Sequence, residues 1–162
     1  MAILFQNDLS ERAQHFLEQH KTKMQIAIVC SQFNSHVTEP LLQGAIDRLL
    51  ALELSPEHIV VSRVPGAIEI PVLVQKHARS RKFSAIIALG AVIRGETSHY
   101  DHVCEAVTQG CTRVSLDEHI PVLFGVLTAD NDAQALARVG GSKGHKGVYC
   151  ADGAIEMAAL ML

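Results

Sequence analysis

Four short apolar runs constrain the fold of this sequence more than any other feature. Apolar residues predominate in each run, without the regular polar alternation of a half-exposed strand. Such runs are typical of strands that are buried on both faces of a parallel sheet. We therefore predict strands over Ile26–Cys30, Ile59–Val64, Ala85–Leu89 and Pro121–Leu127.

Apolar residues at helical spacing fill the segments between and after these runs. Pro71 falls in the first turn of one such segment, where a missing N–H group does no harm. The predicted helices are Val37–Glu53, Ile68–Ser80, Asp101–Leu116, Asn131–Arg138 and Val148–Leu162. Strands that alternate with helices predict the α/β class, as a three-layer sandwich. Its four-stranded parallel sheet is flanked by helices, with flavodoxin-like winding.

The length of 162 residues suits a single domain over residues 1–162. Residues 1–23 are more polar, and we interpret them as an N-terminal arm that packs on a neighbour or stays mobile. Within this arm Ser10 is placed to cap a short helix. Ala13, Phe16, Leu17 and His20 would share one face of that helix.

Charge and composition exclude several classes of protein. The net charge is −3, and the Lys and Arg residues are scattered along the sequence. This pattern argues against a basic, nucleic-acid-binding face. No apolar run reaches the ~18 residues of a membrane span, and the first residues do not resemble a signal peptide. Four cysteines without a Cys-x-x-Cys pair indicate buried, reduced thiols, which favours a cytoplasmic location.

Chemically useful side chains follow the predicted strands. Phe33 follows the first strand, Glu69 the second and His99 the third, where Gly90 begins a Gly-punctuated segment. In parallel α/β sheets, ligands bind beyond the carboxyl ends of the strands. The topology therefore gathers an aromatic ring, a carboxylate and a histidine at one edge of the sheet.

The turn Gly95–Ser98 precedes a predicted helix, whose first N–H groups attract anions. Glu96 would repel an anion unless its side chain points away. By itself this turn is more simply an ordinary helix cap. It lacks the Gly-Lys-Ser/Thr of a P-loop, and no Gly-x-Gly-x-x-Gly follows the first strand.

His99 has three possible interpretations. It is either a surface histidine, a metal ligand with Asp101, His102 and Cys104, or a general base. The spacing does not match the usual zinc motifs, which argues against a metal. Its position after the turn and the near-neutral pKa of an ordinary histidine favour proton transfer.

Five other candidates each have a structural alternative. The Glu69 carboxylate could simply interact favourably with a helix dipole. Phe33 and Phe124 could belong to the core. Arg138 and Lys146, which flank a Gly-rich loop, are solvated cations by default but could hold a phosphate.

Taken together, several motifs closely resemble the 6,7-dimethyl-8-ribityllumazine synthase family. The resemblance covers residues 24–162 in order, and the Gly-Ala-Val-Ile-Arg-Gly-Glu-Thr-x-His block is its most specific part. The motifs are Phe33-Asn34, Val64-Pro-Gly-Ala-Ile-Glu-Ile-Pro71, Leu89-Gly-Ala-Val-Ile-Arg-Gly-Glu-Thr-Ser-His-Tyr-Asp101, Phe124-Gly-Val-Leu-Thr128, Lys146-Gly147 and Ala154-Ile-Glu-Met157.

This resemblance implies a transferase of riboflavin biosynthesis. The family condenses 5-amino-6-(D-ribitylamino)uracil with 3,4-dihydroxy-2-butanone 4-phosphate to give the lumazine, phosphate and water. A ring amine forms an imine with the ketone, phosphate leaves by elimination, and the ring closes on the second carbonyl. Neither a metal nor an organic cofactor takes part.

The resemblance also implies roles for individual residues. His99 matches the proton-transfer histidine, and Phe33 would stack on the pyrimidine. Arg138 would pair with phosphate from the neighbouring subunit. The substrate-binding residues it implies are Phe33, Ala67, Ile68, Glu69, Ala91, Val92, Ile93, Glu96, Thr97, Phe124, Arg138 and Lys146.

Those residues divide into four implied groups. Ala67 to Glu69 would contact the ribityl chain and the ring, and Ala91 to Ile93 would offer backbone groups to the heterocycle. Glu96 and Thr97 would bind the phosphate end through main-chain N–H groups and the Thr97 hydroxyl. Phe124 would come from the neighbouring subunit with Arg138, and Lys146 matches a family lysine near the site.

The resemblance implies a homo-pentamer, or multiples such as a decamer or an icosahedral shell, and a possible association with riboflavin synthase.

The sequence departs from the family pattern at two positions: Ile68 stands where many relatives carry Phe, and Ala137 stands where an acidic residue is common. Three rival functions remain open. They are a flavodoxin-like binding module, a shell protein with weak activity and a metal-dependent hydrolase.

Overall fold

A four-stranded, fully parallel sheet organises the computed structural model, which describes residues 8–162. The strand order is β2-β1-β3-β4. The strands are β1 Ile26–Ser31, β2 Ile59–Val64, β3 Ala85–Ile93 and β4 Val122–Ala129. The predicted α/β class and all four predicted strands are confirmed.

Within residues 8–162, six α-helices cover the two faces of this sheet. They are α1 Glu11–His20, α2 Ser35–Ala51, α3 Ile70–Arg79, α4 His99–Asp117, α5 Asp132–Leu136 and α6 Lys146–Leu160. Buried residues of α1, α2 and α6 form one core with the sheet, and those of α3 and α4 form a second core on the other face. Each predicted helix is present, with ends that differ by a few residues.

Successive side chains of the central strands point to opposite faces of the sheet, so each strand contributes to both cores. Ile28 and Ile87 face α2 and α6, whereas the adjacent Val29 and Ile86 face α3 and α4. All four side chains are fully buried. Burial on both faces explains why these strands are continuously apolar in the sequence. β2 is an edge strand, so it is only partly buried and contains Ser62 and Arg63.

The prediction that the third strand ends at Leu89 is wrong. β3 continues through Gly90 to Ile93, because its pairing with β4 runs on to Ile93 opposite Ala129. Gly90 reads as a break in the sequence, but here it lies inside the strand. A Cβ at this position would lie 2.9 Å from Oγ of Ser31, so glycine allows close packing rather than a turn.

The predicted Gly-rich loop at 140–147 is an antiparallel hairpin. Its two short strands are β5, Val139–Gly141, and β6, Gly144–His145. Gly140 has a φ of 97° and Gly144 a φ of 79°, values in the left-handed region that glycine adopts readily. These glycines therefore form a turn with defined geometry instead of a flexible segment.

The helix predicted near the N-terminus is confirmed as α1. Ser10 caps it, since its Oγ accepts from the N–H of Ala13 at 3.2 Å. The N–H of Ser10 also donates to Oε1 of Glu156 at 2.6 Å, which ties α1 to α6 of the same chain. Residues 1–7 of the predicted arm lie outside the described part of the chain.

Among the helices of residues 8–162, none is long and apolar enough to cross a membrane.

All four cysteines are free thiols. Burial raises the pKa of Cys30, Cys111 and Cys150 to about 11 in each case, so these thiols stay protonated near neutral pH.

We predict that Gly125→Ala lowers the free energy of unfolding by about 1–3 kcal/mol, as overpacking of a full core does. A Cβ at this position in β4 would lie 2.9 Å from Sγ of Cys150 and 3.0 Å from the Ala88 carbonyl oxygen. Gly95→Ala is the matched control, because a Cβ there would meet nothing within 4 Å. Equal stability of the two variants in urea denaturation would contradict this packing.

Candidate functional site

A cavity of about 450 Å³ opens at the carboxyl edge of the sheet. It lies beyond the ends of β1, β2 and β3, where the topology predicts a ligand site. Nine of the predicted site residues line it: Phe33, Ala67, Ile68, Glu69, Ala91, Val92, Ile93, Thr97 and His99. The lining is mainly apolar, with a few polar groups converging on it, as is common in small-molecule sites.

The aromatic wall of the cavity is Phe33, which follows β1. Its side chain is 72% exposed, so its ring does not belong to the core. The Phe33 N–H donates to the Pro65 carbonyl at 3.0 Å, and this bond fixes the backbone beneath the ring. An exposed ring on an anchored backbone suits stacking against a planar ligand.

Asn34 positions the neighbouring wall. Its φ of 60° is left-handed, a conformation that Asn tolerates better than most residues. Its Nδ2 donates to the Ala91 carbonyl at 3.0 Å, linking the start of α2 to the end of β3. Asn34 lines the cavity as well. The motif Phe33-Asn34 indicated this position, but its backbone conformation could not be derived from the sequence.

A single 3₁₀ turn, Ala67–Glu69, forms the third wall after β2. The Glu69 Oε2 accepts from the Gly66 N–H at 2.9 Å, which closes this turn before α3 begins. The Glu69 side chain remains exposed in the cavity wall, and its other carboxylate oxygen can accept from a ligand. The structural and the functional interpretations of Glu69 are therefore compatible.

The turn Gly95–Ser98 leads directly into α4, which begins at His99. The Thr97 Oγ1 accepts from the His99 N–H at 3.3 Å and keeps its own hydrogen for another acceptor. Ser98, the N-cap residue of α4, makes no side-chain capping bond, and both Thr97 and His99 are exposed. Gly95 and Thr97 line the cavity, whereas Glu96 does not.

Tyr100 belongs to the cavity wall although the sequence did not single it out. The Arg94 guanidinium lies 4.2 Å from the centre of its ring. Arg94 also donates through Nε to Oδ1 of Asp130 at 2.9 Å, which ties the end of β3 to the end of β4. Burial raises the pKa of Tyr100, so its hydroxyl stays protonated at neutral pH.

Three predicted residues lie elsewhere in this chain. Phe124 is half-buried in β4 and packs against the core beneath α4. Arg138 and Lys146 line a separate cavity of about 270 Å³ beside the β5–β6 hairpin. The Lys146 Nζ lies 4.7 Å from the ring centre of Tyr149. A single chain therefore does not bring these residues to the cavity that contains His99.

The metal-site interpretation gains no geometric support. Within residues 8–162, no group of three His, Cys, Asp or Glu side chains is arranged to hold a metal ion. His102 and Asp101 are exposed on α4, and Arg94 interacts with Asp101 at 3.5 Å.

The chain is similar to proteins of known family. The family model described as 6,7-dimethyl-8-ribityllumazine synthase matches residues 23–162. Three relatives named 6,7-dimethyl-8-ribityllumazine synthase come from Coxiella burnetii strains Dugway 5J108-111, CbuG_Q212 and RSA 493. Each is 48% identical over 141 residues, which span 87% of this chain and 93% of the relative.

We predict that Asn34→Ala lowers the free energy of unfolding by about 1–3 kcal/mol, because it loses both the bond to Ala91 and a side chain that tolerates left-handed φ. Asn34→Gly should cost less, since glycine keeps the backbone conformation. Thermal and urea unfolding measure both. If glycine were as damaging as alanine, backbone conformation would not be the main constraint at this position.

Proposed function

This chain belongs to the 6,7-dimethyl-8-ribityllumazine synthase family, and we propose that the cavity at the carboxyl edge of its sheet is the catalytic site. The protein is a transferase of riboflavin biosynthesis. It condenses 5-amino-6-(D-ribitylamino)uracil with 3,4-dihydroxy-2-butanone 4-phosphate to give 6,7-dimethyl-8-ribityllumazine, phosphate and water in the penultimate step.

One observation carries the site proposal. Segments that are far apart in the sequence meet around a single cavity, and they bring an exposed ring, a carboxylate, a hydroxyl and a histidine. These groups match the substrates, which combine a planar pyrimidine, a ribityl chain and a phosphate.

In this proposal the pyrimidine and its ribityl chain lie against the cavity wall formed by the residues at the ends of β1, β2 and β3. Phe33 stacks on the ring, a contact that contributes about 1 kcal/mol. Backbone groups of Ala91 to Ile93 bond the edge of the heterocycle, and Ala67, Ile68 and Glu69 contact the ribityl chain. Ile68, half of whose surface is exposed, supplies an aliphatic contact where many relatives offer an aromatic one.

The phosphate of the second substrate lies at the start of α4. Main-chain N–H groups of Gly95–Thr97 and the Thr97 hydroxyl donate to it, and the positive end of the helix dipole adds attraction. Glu96 contributes its backbone only, and its exposed side chain lies outside the cavity lining, which supports that role. The sequence made Glu96 look unsuitable for an anion site.

His99 moves the protons. Forming the imine, eliminating phosphate and closing the ring each transfer a proton near the phosphate end, and a histidine can accept and return it. Its place at the first residue of α4 puts the imidazole in the cavity wall beside Thr97. The remaining rate enhancement comes from holding the two substrates in register.

The neighbouring subunit completes the site. Phe124, Arg138 and Lys146 lie outside this chain's own cavity, which supports their serving the cavity of another copy. In this proposal each copy gives residues to one neighbour and receives them from another, as in a closed head-to-tail ring. We propose a homo-pentamer, with a decamer or an icosahedral shell as possible higher assemblies, and an association with riboflavin synthase.

We further propose that residues 1–162 form one domain and that the enzyme works in the cytoplasm. The four free thiols favour a reducing compartment.

The rival interpretation, a binding module that catalyses no reaction, makes a different prediction. A module would bind one substrate, but no lumazine absorbance would appear when both substrates are added.

We predict that His99→Ala lowers kcat by about 10- to 100-fold while leaving measurable turnover, because orientation of the substrates survives. His102→Ala is the matched control, since His102 is exposed on the same helix and does not line the cavity. Steady-state formation of lumazine measures both. Unchanged turnover in His99→Ala would remove the proton-transfer role.

We predict that co-expressing His99→Ala with Arg138→Ala restores activity. In a mixed ring, some sites combine a native His99 from one copy with a native Arg138 from the next. Random mixing makes roughly a quarter of the sites intact. Activity equal to the average of the two separate variants would show that the site is not shared, and particle mass in solution shows whether rings form.

A further inference from the structure

The β5–β6 hairpin joins Arg138, which is proposed to pair with phosphate, to Lys146, a second cation that could hold the same anion. Arg138 precedes the hairpin and Lys146 follows it, and the Lys146 N–H donates to the Arg138 carbonyl at 2.8 Å. This bond brings the two backbones together at the base of the hairpin. Arg138 itself is exposed and Lys146 half-buried, so the direction in which they point depends on how the hairpin is held.

His145 anchors this hairpin to α6. It is the last residue of β6 and the N-cap of α6, and its Nδ1 accepts from the Val148 N–H at 3.4 Å. It also pairs with Val139 across the hairpin. One side chain thus connects the strand pair to the first turn of the helix that contains Lys146.

The same ring anchors the hairpin to α2. Gly44 leaves a notch in α2, and a Cβ at residue 44 would overlap the imidazole of His145, with Nδ1 only 2.8 Å away. Gly147 completes the contact, because a Cβ there would overlap the Leu41 carbonyl oxygen. The backbones of α2 and α6 are therefore in close contact, with the ring of His145 lodged against both.

The environment keeps this imidazole neutral. Burial lowers the pKa of His145, and interaction with the Pro40 backbone opposes that shift only in part. A neutral ring has one nitrogen that accepts and one that donates, so Nδ1 can cap α6 while Nε2 carries the hydrogen. This state is suited to a fixed anchor rather than to direct charge pairing with phosphate.

We propose that His145 is a positioning residue for phosphate binding: lodged in the Gly44 notch of α2 and capping α6, it holds the hairpin so that Arg138 and Lys146 act together on one anion. This inference rests on the proposed pairing of Arg138 with phosphate and extends that role to Lys146. His145 lines the small cavity with them, but it acts through them.

The test measures KM separately for the two substrates, and inhibition by inorganic phosphate. His145→Ala should raise KM for the butanone phosphate by about 5- to 20-fold, with kcat and KM for the pyrimidine changed less than about threefold. His145→Asn should recover most of the loss, because Asn is a strong N-cap and can accept from the Val148 N–H.

Gly44→Ala tests the notch from the other helix. Alanine favours a helix over glycine, so a loss of phosphate affinity would reflect the clash of the new Cβ with the His145 ring and not a weaker helix. We expect a similar rise in KM for the butanone phosphate. In the double variant Gly44→Ala/His145→Ala the effect should not exceed that of His145→Ala alone, because the ring is already gone.

Gly153→Ala is the matched control, since its Cβ in α6 would press on Cδ1 of Leu123, 2.9 Å away, and not on His145. It should leave KM for the butanone phosphate unchanged. Additive effects in the double variant, or equal changes in both KM values for His145→Ala, would overturn the positioning role. If His145→Ala does not fold, the comparison of His145→Asn with Gly44→Ala decides the same question.

Arg138→Ala, measured in parallel, distinguishes phosphate binding by the cations from their positioning by His145. If Arg138→Ala raises KM for the butanone phosphate and the His145 and Gly44 variants do not, only the positioning role fails. If Arg138→Ala has no effect either, the assignment of the phosphate to these cations fails, and the inference about His145 fails with it.

Discussion

Parallel backbone pairing along β3 is the constraint on which the rest of this structure depends. β3 bonds to β1 on one side and to β4 on the other, so the carboxyl ends of these strands reach the same edge. β2 pairs in parallel with the other side of β1, so its carboxyl end reaches the same edge, and the cavity walls start from the ends of β1, β2 and β3. The pairing with β4 also carries β3 through Gly90 to Ile93, which turns Ala91, Val92 and Ile93 into a rigid wall instead of a loop.

Rigid elements hold most of the cavity wall, and short turns supply its polar groups. Asn34 links the start of α2 to β3, Glu69 closes the turn before α3, and Arg94 links β3 to the end of β4. A reaction that gains much of its rate from orientation benefits from walls fixed in this way. The cations that would neutralise phosphate are held by a different device, a hairpin lodged against α2 and α6 through His145.

Much of the fold could be predicted because each strand and helix has a local signal. The apolar runs located the four strands, and helical spacing located the helices. The errors occurred where tertiary contacts override local chemistry. Gly90 looked like a break but serves close packing against Ser31, and the glycines after Arg138 looked like a loop but form a hairpin. Tyr100 was missed, since nothing local distinguishes it from a core residue.

By itself the sequence determined the alternation of strands and helices, the residues at each strand end and the family, because these follow from local pattern and specific motifs. Only the tertiary structure decided that Phe33 is exposed, that Glu96 lies outside the cavity lining, and that Arg138 and Lys146 lie away from their own chain's His99. The physical reason is that exposure and proximity depend on contacts between segments that are distant in sequence, which no local pattern encodes.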